Sequence, residues 1–451
     1  MQSLEGLGFD DGDVVGPPTE VATEKRMGLR QDGLQRLQRF VPQAGRDYQR
    51  FRNVDRGRGE HWSVSSLSPY IRHRLISEQE VLDAVLSEHA REDAFKFVQE
   101  VFWRGYWKGW LEHRQRLWPE YQAGLQDAEQ DLKRNNRAYR TYLQAVSAST
   151  PIIPFNDWVT ELQETGYLHN HARMWFASIW VFSLGLPWQL GADFFMRHLL
   201  DGDPAVNTLG WRWVAGLHTQ GKTYLATPTN IRQCADGRFD DWMDYDLGLN
   251  RLAARTAQVE EELTACALQV TGIEWPAPLM GSCPDYRGKR TALLLTEEDL
   301  AIHCPLRVDA VVALSPGNLS PIGEDSSLVT DFRRRAVVEG LEHATVLLPA
   351  AKKSNPMDPE ALASWLANEK IDLVVHAYVP MGPALMNTLE LQQHLAARGI
   401  AMVALCPTMT AWFGPMLERV FSSWERKFRN SWTPWLWVRQ KRCNRIVDQT
   451  K

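Results

Sequence analysis

The apolar residues of this chain change their period near residue 290, and that change limits the folds open to it. From about residue 76 to 145, apolar side chains recur at three- and four-residue spacing, as in EVLDAVLSEHAREDAFKFVQEVFWRGYW, which predicts helices. The same spacing runs through residues 27–40, 155–200 and 245–270. Ser77, followed three residues later by Glu80, is a capping-box pattern. After Pro284, five short apolar runs (in TALLLTEEDL, VDAVVALSP, HATVLLPAA, IDLVVHAYVP and GIAMVALCP) alternate with helical stretches. That alternation predicts a parallel sheet covered by helices. The expected class is α followed by α/β. Residues 1–44 are expected as an N-terminal extension, 45–282 as a helical domain, 290–407 as an α/β domain, and 408–451 as a basic, Trp-rich helical tail.

Composition excludes several classes. Hydrophobic residues make up 44% and charged residues 23% of the 451, an ordinary soluble globular balance. The longest apolar run, Met174–Trp188, is too short to span a bilayer, so no membrane association is expected. The N-terminal MQSLEGLGFDDGD is acidic and has no apolar core, so no secretory signal is expected. Six scattered cysteines with no CxxC pair argue against a disulfide framework, a zinc ribbon or a clustered iron–sulfur site. The expected compartment is the cytoplasm. A net charge of −5 requires any nucleic-acid binding to use a local basic groove. Tryptophan alone is abnormal: there are 19, thirteen between Trp62 and Trp275 and five between Trp412 and Trp437. They form either a core of large aromatics or a set of indoles that stack, hold cations or carry electrons.

Three polar clusters stand in apolar surroundings. Asp201-Gly202-Asp203 follows a helical pattern ending at Leu200 and suits a helix-boundary turn or a ligand's hydroxyl and N–H groups. No third carboxylate stands at calcium-loop spacing, and no metal site is expected. His169, Asn170, His171 and Arg173 form the second cluster, with His169 and Arg173 four apart on one helical face. Ser63, Ser65, Ser66 and Ser68 precede Pro69, as in either a serine-rich loop or a phosphate-binding turn. No GxxxxGK[ST], GxGxxG or GxSxG motif is present.

Read together, five segments resemble the FAD domain of the photolyase/cryptochrome family. They are YQRFRN (Tyr48–Asn53), VSSLSPY (Val64–Tyr70), EVFWRGY (Glu100–Tyr106), TGYLHNHARM (Thr165–Met174) and FMRHLLDGDPAVNTLGWRW (Phe195–Trp213), in one order across roughly residues 45–245. The resemblance implies an all-helical FAD-binding domain followed by a Rossmann-like parallel α/β domain. It implies that Tyr48, Ser65, Leu67 and Ser68 line the phosphate and ribose end of FAD. Arg104 and Arg173 stand near the flavin, Arg173 pairs with Asp201, and Asp201 and Asp203 accept from flavin and ribose groups. Asn207 faces flavin N5, where an amide oxygen accepts from a protonated N5 and favours the reduced cofactor.

On the substrate side, the resemblance implies that Glu100, Trp103, Asn170, Met174 and Trp213 contact a flipped-out cyclobutane dimer in UV-damaged DNA. His171 stands where the family usually has Arg, and Asn170 excludes the paired histidines of (6-4) photolyases. Lys108, Arg197, Lys222 and Arg232 are cations available for phosphates. Trp211 and Trp188 match the inner and middle members of the family's electron-transfer chain. The third is absent near residues 128–140, which leaves Trp175, Trp180 or Tyr139 to replace it. Family members carry their α/β domain first; here it comes second, as in a circular permutation or, alternatively, as an unrelated Rossmann-like domain appended to a short FAD module. No residue identifies a second, antenna chromophore. The implied function is blue-light-driven DNA repair as a lyase. The alternative is a cryptochrome-like photoreceptor with a protein partner, for which the basic tail would serve.

Overall fold

The computed structural model of the chain describes residues 29–218, 223–240, 249, 288–301 and 307–405. Up to residue 240 it is helical: α1 (Leu29–Phe40), α2 (Arg46–Phe51), α3 (Ser68–Arg72), α4 (Glu78–Glu88), α5 (Arg91–Glu112), α6 (Leu117–Arg134), α7 (Asn136–Val146), α8 (Ile153–Thr165), α9 (Asn170–Ser178), α10 (Trp188–His198), α11 (Pro204–Val214) and α12 (Pro228–Cys234). The capping box forms as expected. Ser77 accepts from the Glu80 amide at 3.2 Å, and Glu80 accepts from the Ser77 amide at 2.8 Å. Among the described residues, no helix is long and apolar enough to cross a membrane.

From residue 291 the chain builds β1 (Thr291–Leu295), β2 (Ala310–Ala313), β3 (Lys352–Lys353), β4 (Leu373–Ala377) and β5 (Ala401–Leu405), interleaved with helices α13 (Ser327–Leu347), α14 (Pro359–Asn368) and α15 (Pro383–Ala396). All strand pairs are parallel, in the order β3-β2-β1-β4-β5. The helical and parallel-sheet halves therefore follow the order read from the sequence. One strand differs. The run HATVLLPAA is not the third strand; α13 continues through its first part, with Leu341 and Ala344 buried while Val346 and Leu347 face solvent. That three-residue burial step is a helical period. The strand that pairs with β2 is the short Lys352–Lys353, a polar edge with little to bury.

Both faces of the sheet are covered, so β1 is buried along its whole length. Its even residues, Ala292 and Leu294, pack with Leu362 and Leu366 of α14 and Leu391 and Leu395 of α15. Its odd residues, Leu293 and Leu295, pack with Phe332 and Val337 of α13 and with Leu37, Tyr48, Leu67, Val81 and Phe97 from the helical half. The two halves thus share one core on that face. Residues 29–44 are part of it: Leu37 and Phe40 are buried there, and Glu339 of α13 accepts from the Leu29 and Arg30 amides at the start of α1. The Trp-rich segment of α9 and α10 forms a separate core with α6, α8 and α11, with Trp158, Trp175 and Trp180 fully buried. Those three indoles, with Trp118, Trp188 and Trp211, are thus core residues. The expected tail 408–451, residues 250–282 and Lys222 lie outside the described residues.

Candidate functional site

Helix α11 is the centre of the site, packed against α5, α9 and α10. Asp203 starts it: Oδ1 accepts from the amides of Ala205 at 3.0 Å and Val206 at 3.1 Å, with Pro204 at the first helical position. Its Oδ2 takes Arg104 at 3.1 Å, with Lys108 at 3.6 Å and Arg72 at 4.0 Å. Burial raises the Asp203 pKa, but Lys108, Arg72 and Arg104 outweigh it and hold the carboxyl well below its ordinary range. The helix-boundary and ligand-binding readings of the Asp-Gly-Asp turn therefore divide between its two carboxylates. Asp203 is engaged inside the protein as a cap and an ion pair. Asp201 pairs through Oδ2 with Arg173 at 3.1 Å, while its Oδ1 is buried and has no hydrogen-bond partner. Burial raises the Asp201 pKa as well, but Arg173 and Arg104 bring the net below the usual value. Gly202 lets the turn pack closely, because a Cβ there would crowd the Met196 carbonyl oxygen at 3.1 Å and that of Leu199 at 3.2 Å.

The serine loop comes to the same place through Arg104, which also reaches the Ser68 carbonyl oxygen at 3.5 Å. Ser66 has φ 49°, a left-handed conformation that costs a residue other than glycine about 1–2 kcal/mol and is concentrated at ligand-holding turns. Ser65 turns inward, accepting from the Leu67 amide at 3.4 Å, and buried Ser63 accepts from Arg56 at 2.8 Å. Leu67 and Tyr48 are core residues. Leu67 is fully buried, and the Tyr48 ring sits edge-on to Phe40 and Phe97 at 5.8 and 5.2 Å. Asn207, one turn into α11, donates from Nδ2 to the Ala192 carbonyl at 2.8 Å. That bond orients the amide and leaves its oxygen as the acceptor it can offer a ligand.

The five residues expected on the substrate side stand on three helices. Glu100 and Trp103 are on α5, Asn170 and Met174 on α9, and Trp213 on α11. Glu100 pairs with Arg52 at 2.6 Å, and the Arg52 carbonyl hydrogen-bonds His169 at 3.0 Å, tying α5 to the start of α9. Trp103 is 37% exposed and stacks on Trp107 at 6.0 Å. Asn170 is exposed and Met174 half-buried. Trp213 stacks on Tyr224 at 5.8 Å, and Tyr224 bonds His171 at 3.0 Å, so α11 and α9 are linked there too. Two cations expected for DNA phosphates are spent inside the fold. Lys108 is buried between Asp203 and Glu298, and Arg197 pairs with Asp193 at 2.8 Å.

Trp211 is buried and touches Phe176, Phe195 and Trp180, the last at 6.2 Å. Trp180 in turn meets the half-buried Tyr142 at 5.9 Å. Trp188 has different ring neighbours: it stacks on Tyr121 at 5.6 Å and lies under Arg212. Gly191 permits the Trp211–Trp180 contact, since a methyl group there would overlap the Trp211 ring.

Sequence reasoning missed Arg72 and Glu298. The only signals were two short charged runs, RHR at 72–74 and TEED at 296–299, more than 200 residues apart. Asp55, His61 and Glu161 also meet at metal-ligand distances, within 4.8 Å. The Arg238 guanidinium lies among them, 2.6 Å from Asp55 and 3.4 Å from Glu161, and takes the place a cation would have.

Residues 97–246 match the family model of the FAD binding domain of DNA photolyase. A deoxyribodipyrimidine photo-lyase from Synechococcus is 31% identical over 253 residues, which is 52% of this chain and 49% of that protein. A deoxyribodipyrimidine photo-lyase from Thermus thermophilus is 35% identical over 168 residues, covering 36% of this chain and 37% of the relative. A bacterial class III photolyase from Agrobacterium tumefaciens is a structural neighbour with 22% identity and a TM-score of 0.38, covering 56% of this chain and 53% of the other. The chain spans about half or less of the length of the curated relatives it matches. The matched stretch holds Arg104, Arg173, the Asp201–Asp203 turn and Asn207, and over it the chain is similar to the FAD binding domain of DNA photolyase.

Proposed function

We propose that the chain binds FAD and, under blue light, splits pyrimidine dimers in DNA, with cyclobutane dimers the expected lesion. The observation that carries the reading is Asp201 Oδ1, a buried acceptor beside Arg173 and Ser68 that makes no hydrogen bond within the fold. Buried carboxylate oxygens are costly to leave unpaired, and a cofactor N–H or hydroxyl satisfies this one. Asp201, Asn207, Arg173, Arg104 and Ser68 are the residues that would hold FAD. Tyr48 and Leu67 would shape the pocket from the core rather than bond the cofactor. Reduced FAD, when bound, supplies a light-excited electron that opens the dimer and is returned afterwards.

The chain's own part is to bind, orient and screen. Trp103 offers an exposed indole for a base already weakened in its stack, and Trp213 and Met174 supply further apolar surface. Glu100, fixed by Arg52, presents a carboxylate beside that indole, and Asn170 presents an amide from the start of α9. We read residues 45–282 as the FAD domain and the sheet half as the family's α/β domain in permuted order. The 3-2-1-4-5 strand order and the core shared by the two halves support that reading.

An illuminated assay on dimer-containing single- and double-stranded DNA tests the function. Chemically reduced, FAD-loaded protein should bind dimers better than intact DNA and split them. Tight FAD binding without splitting would replace repair by the photoreceptor reading. A folded preparation that takes up no FAD would end both.

For the electron route, the ring contacts favour Trp211–Trp180–Tyr142 over a path through Trp188. Trp180→Phe should lose most of the light-driven flavin bleaching of the wild type, since phenylalanine is far harder to oxidise. Trp188→Phe should keep it. The opposite ranking would return Trp188 to the route.

A further inference from the structure

We propose that Glu298, supplied by the α/β half, is a positioning residue of the cofactor site: it draws Lys108 and Arg72 away from Asp203 and so sets the start of the helix that carries Asn207. The inference rests on the FAD reading above. Glu298 follows β1, in a turn closed by the Thr296–Asp299 bridge. Its oxygens lie 2.6 Å from Arg72 and 3.1 Å from Lys108, whereas Asp203 is 4.0 and 3.6 Å from the same two cations. Both cations therefore sit closer to Glu298. Asp203 keeps Oδ1 for the helix cap and Oδ2 for Arg104. Three cations, Arg72, Arg104 and Lys108, face two carboxylates, Asp203 and Glu298, and all but Arg104 belong to residues buried from solvent.

The place of this turn in the sheet matters. In an order of 3-2-1-4-5, the topological switch point lies between β1 and β4, and the crevice beyond their carboxyl ends is where such sheets take ligands. Here the helical half fills it. Arg72, Arg74 and Lys108 meet the turn after β1, with Arg74 on Asp299 at 2.7 Å. Glu112 of α5 accepts from the Tyr378 hydroxyl and, at 2.6 Å, from the Met381 amide just beyond β4. The edge that would hold a ligand of its own instead completes a site in the other half. Glu297 is the built-in control: it lies on the same turn and is as deeply buried, but it pairs with Arg333 at 2.6 Å.

The test uses the full-length protein and FAD, with the dissociation constant and the midpoint potential of the bound flavin as readouts. Glu298→Gln should weaken FAD binding about tenfold, within the usual range for coupled charged neighbours, and shift the potential positive because one buried negative charge is gone. Glu297→Gln should lower thermal stability and change FAD affinity and potential much less than Glu298→Gln, because its bonded partner is Arg333 and it reaches Arg72 only through space. Lys108→Gln, which removes a positive charge from the same pair, should shift the potential the opposite way and serves if Glu298→Gln does not fold. Wild-type affinity and potential in Glu298→Gln, or equal losses in the Glu297 and Glu298 variants, would overturn the positioning role alone. A wild type that binds no FAD would overturn the FAD reading and this inference with it.

Discussion

Asp201→Asn is expected to destabilise the FAD-free protein by about 3 kcal/mol, because breaking a buried ion pair from one side leaves the other charge uncompensated. The side chain of Asp201 is 5% exposed and that of Arg173 20%, so solvent does little to rescue the guanidinium. Arg173 also donates to the Leu168 carbonyl oxygen at 2.9 Å and holds its place by that bond, so the loss is one of charge rather than of geometry. The same substitution should abolish stable retention of FAD, since the unpartnered Oδ1 loses the negative charge that makes it a strong acceptor. Urea unfolding of the FAD-free protein and flavin absorbance after gel filtration separate the two effects. A stability loss under about 1 kcal/mol would mean that the pair is solvated in solution. Unchanged flavin retention would move the cofactor's partner elsewhere.

Periodicity located the helices and the strands well because each signal is local. Ser77 and Glu80 cap a helix from three residues apart, and β1, β2, β4 and β5 are runs whose neighbours in sequence decide them. The third strand failed for the same reason. In HATVLLPAA a helical end and a strand have the same composition, and only the burial of Leu341 and Ala344 against exposed Val346 separates them. The cluster proposed to hold the cofactor was legible as residue types in order, and Arg173 does pair with Asp201. What the order could not supply was how each polar group is spent. Asp203 and Lys108 read as ligand and DNA contacts, yet each finds a partner within the fold. Glu298 lies 190 residues from Lys108 and 226 from Arg72, and nothing local in TEED names either partner.

Acidification is expected to destabilise the protein from about pH 6.5 downward, well above the range where carboxylates titrate. His73 and His169 are buried neutral. Burial is the main cause in both and brings each pKa down to about 3; Arg72 adds to it at His73, and His61 and His171 at His169. Each ring is used by the fold, His73 bonding the Glu297 carbonyl at 2.8 Å and His169 the Arg52 carbonyl at 3.0 Å. In the unfolded chain both take a proton near pH 6.5. Between pH 6.5 and 3 the unfolded state therefore holds protons that the folded state refuses, and stability falls as pH falls. From pH 7 to 5 each histidine should cost about 2 kcal/mol, or about 4 kcal/mol for the pair. Glu297, held down to about 2, and Asp203, lower still, have depressed folded pKa values; their contribution is intact above the ordinary carboxylate range and is lost only below it. Asp55, Asp193 and Glu112 are raised by burial and act in the opposite sense, binding a proton first in the folded state. The histidine share is therefore isolated by mutation. His169→Gln keeps a donor for the Arg52 carbonyl and should remove about 2 kcal/mol of the pH 7 to 5 difference in urea unfolding. A variant with the full wild-type difference would show that His169 is protonated in the native state, and that the α9 start is open to water.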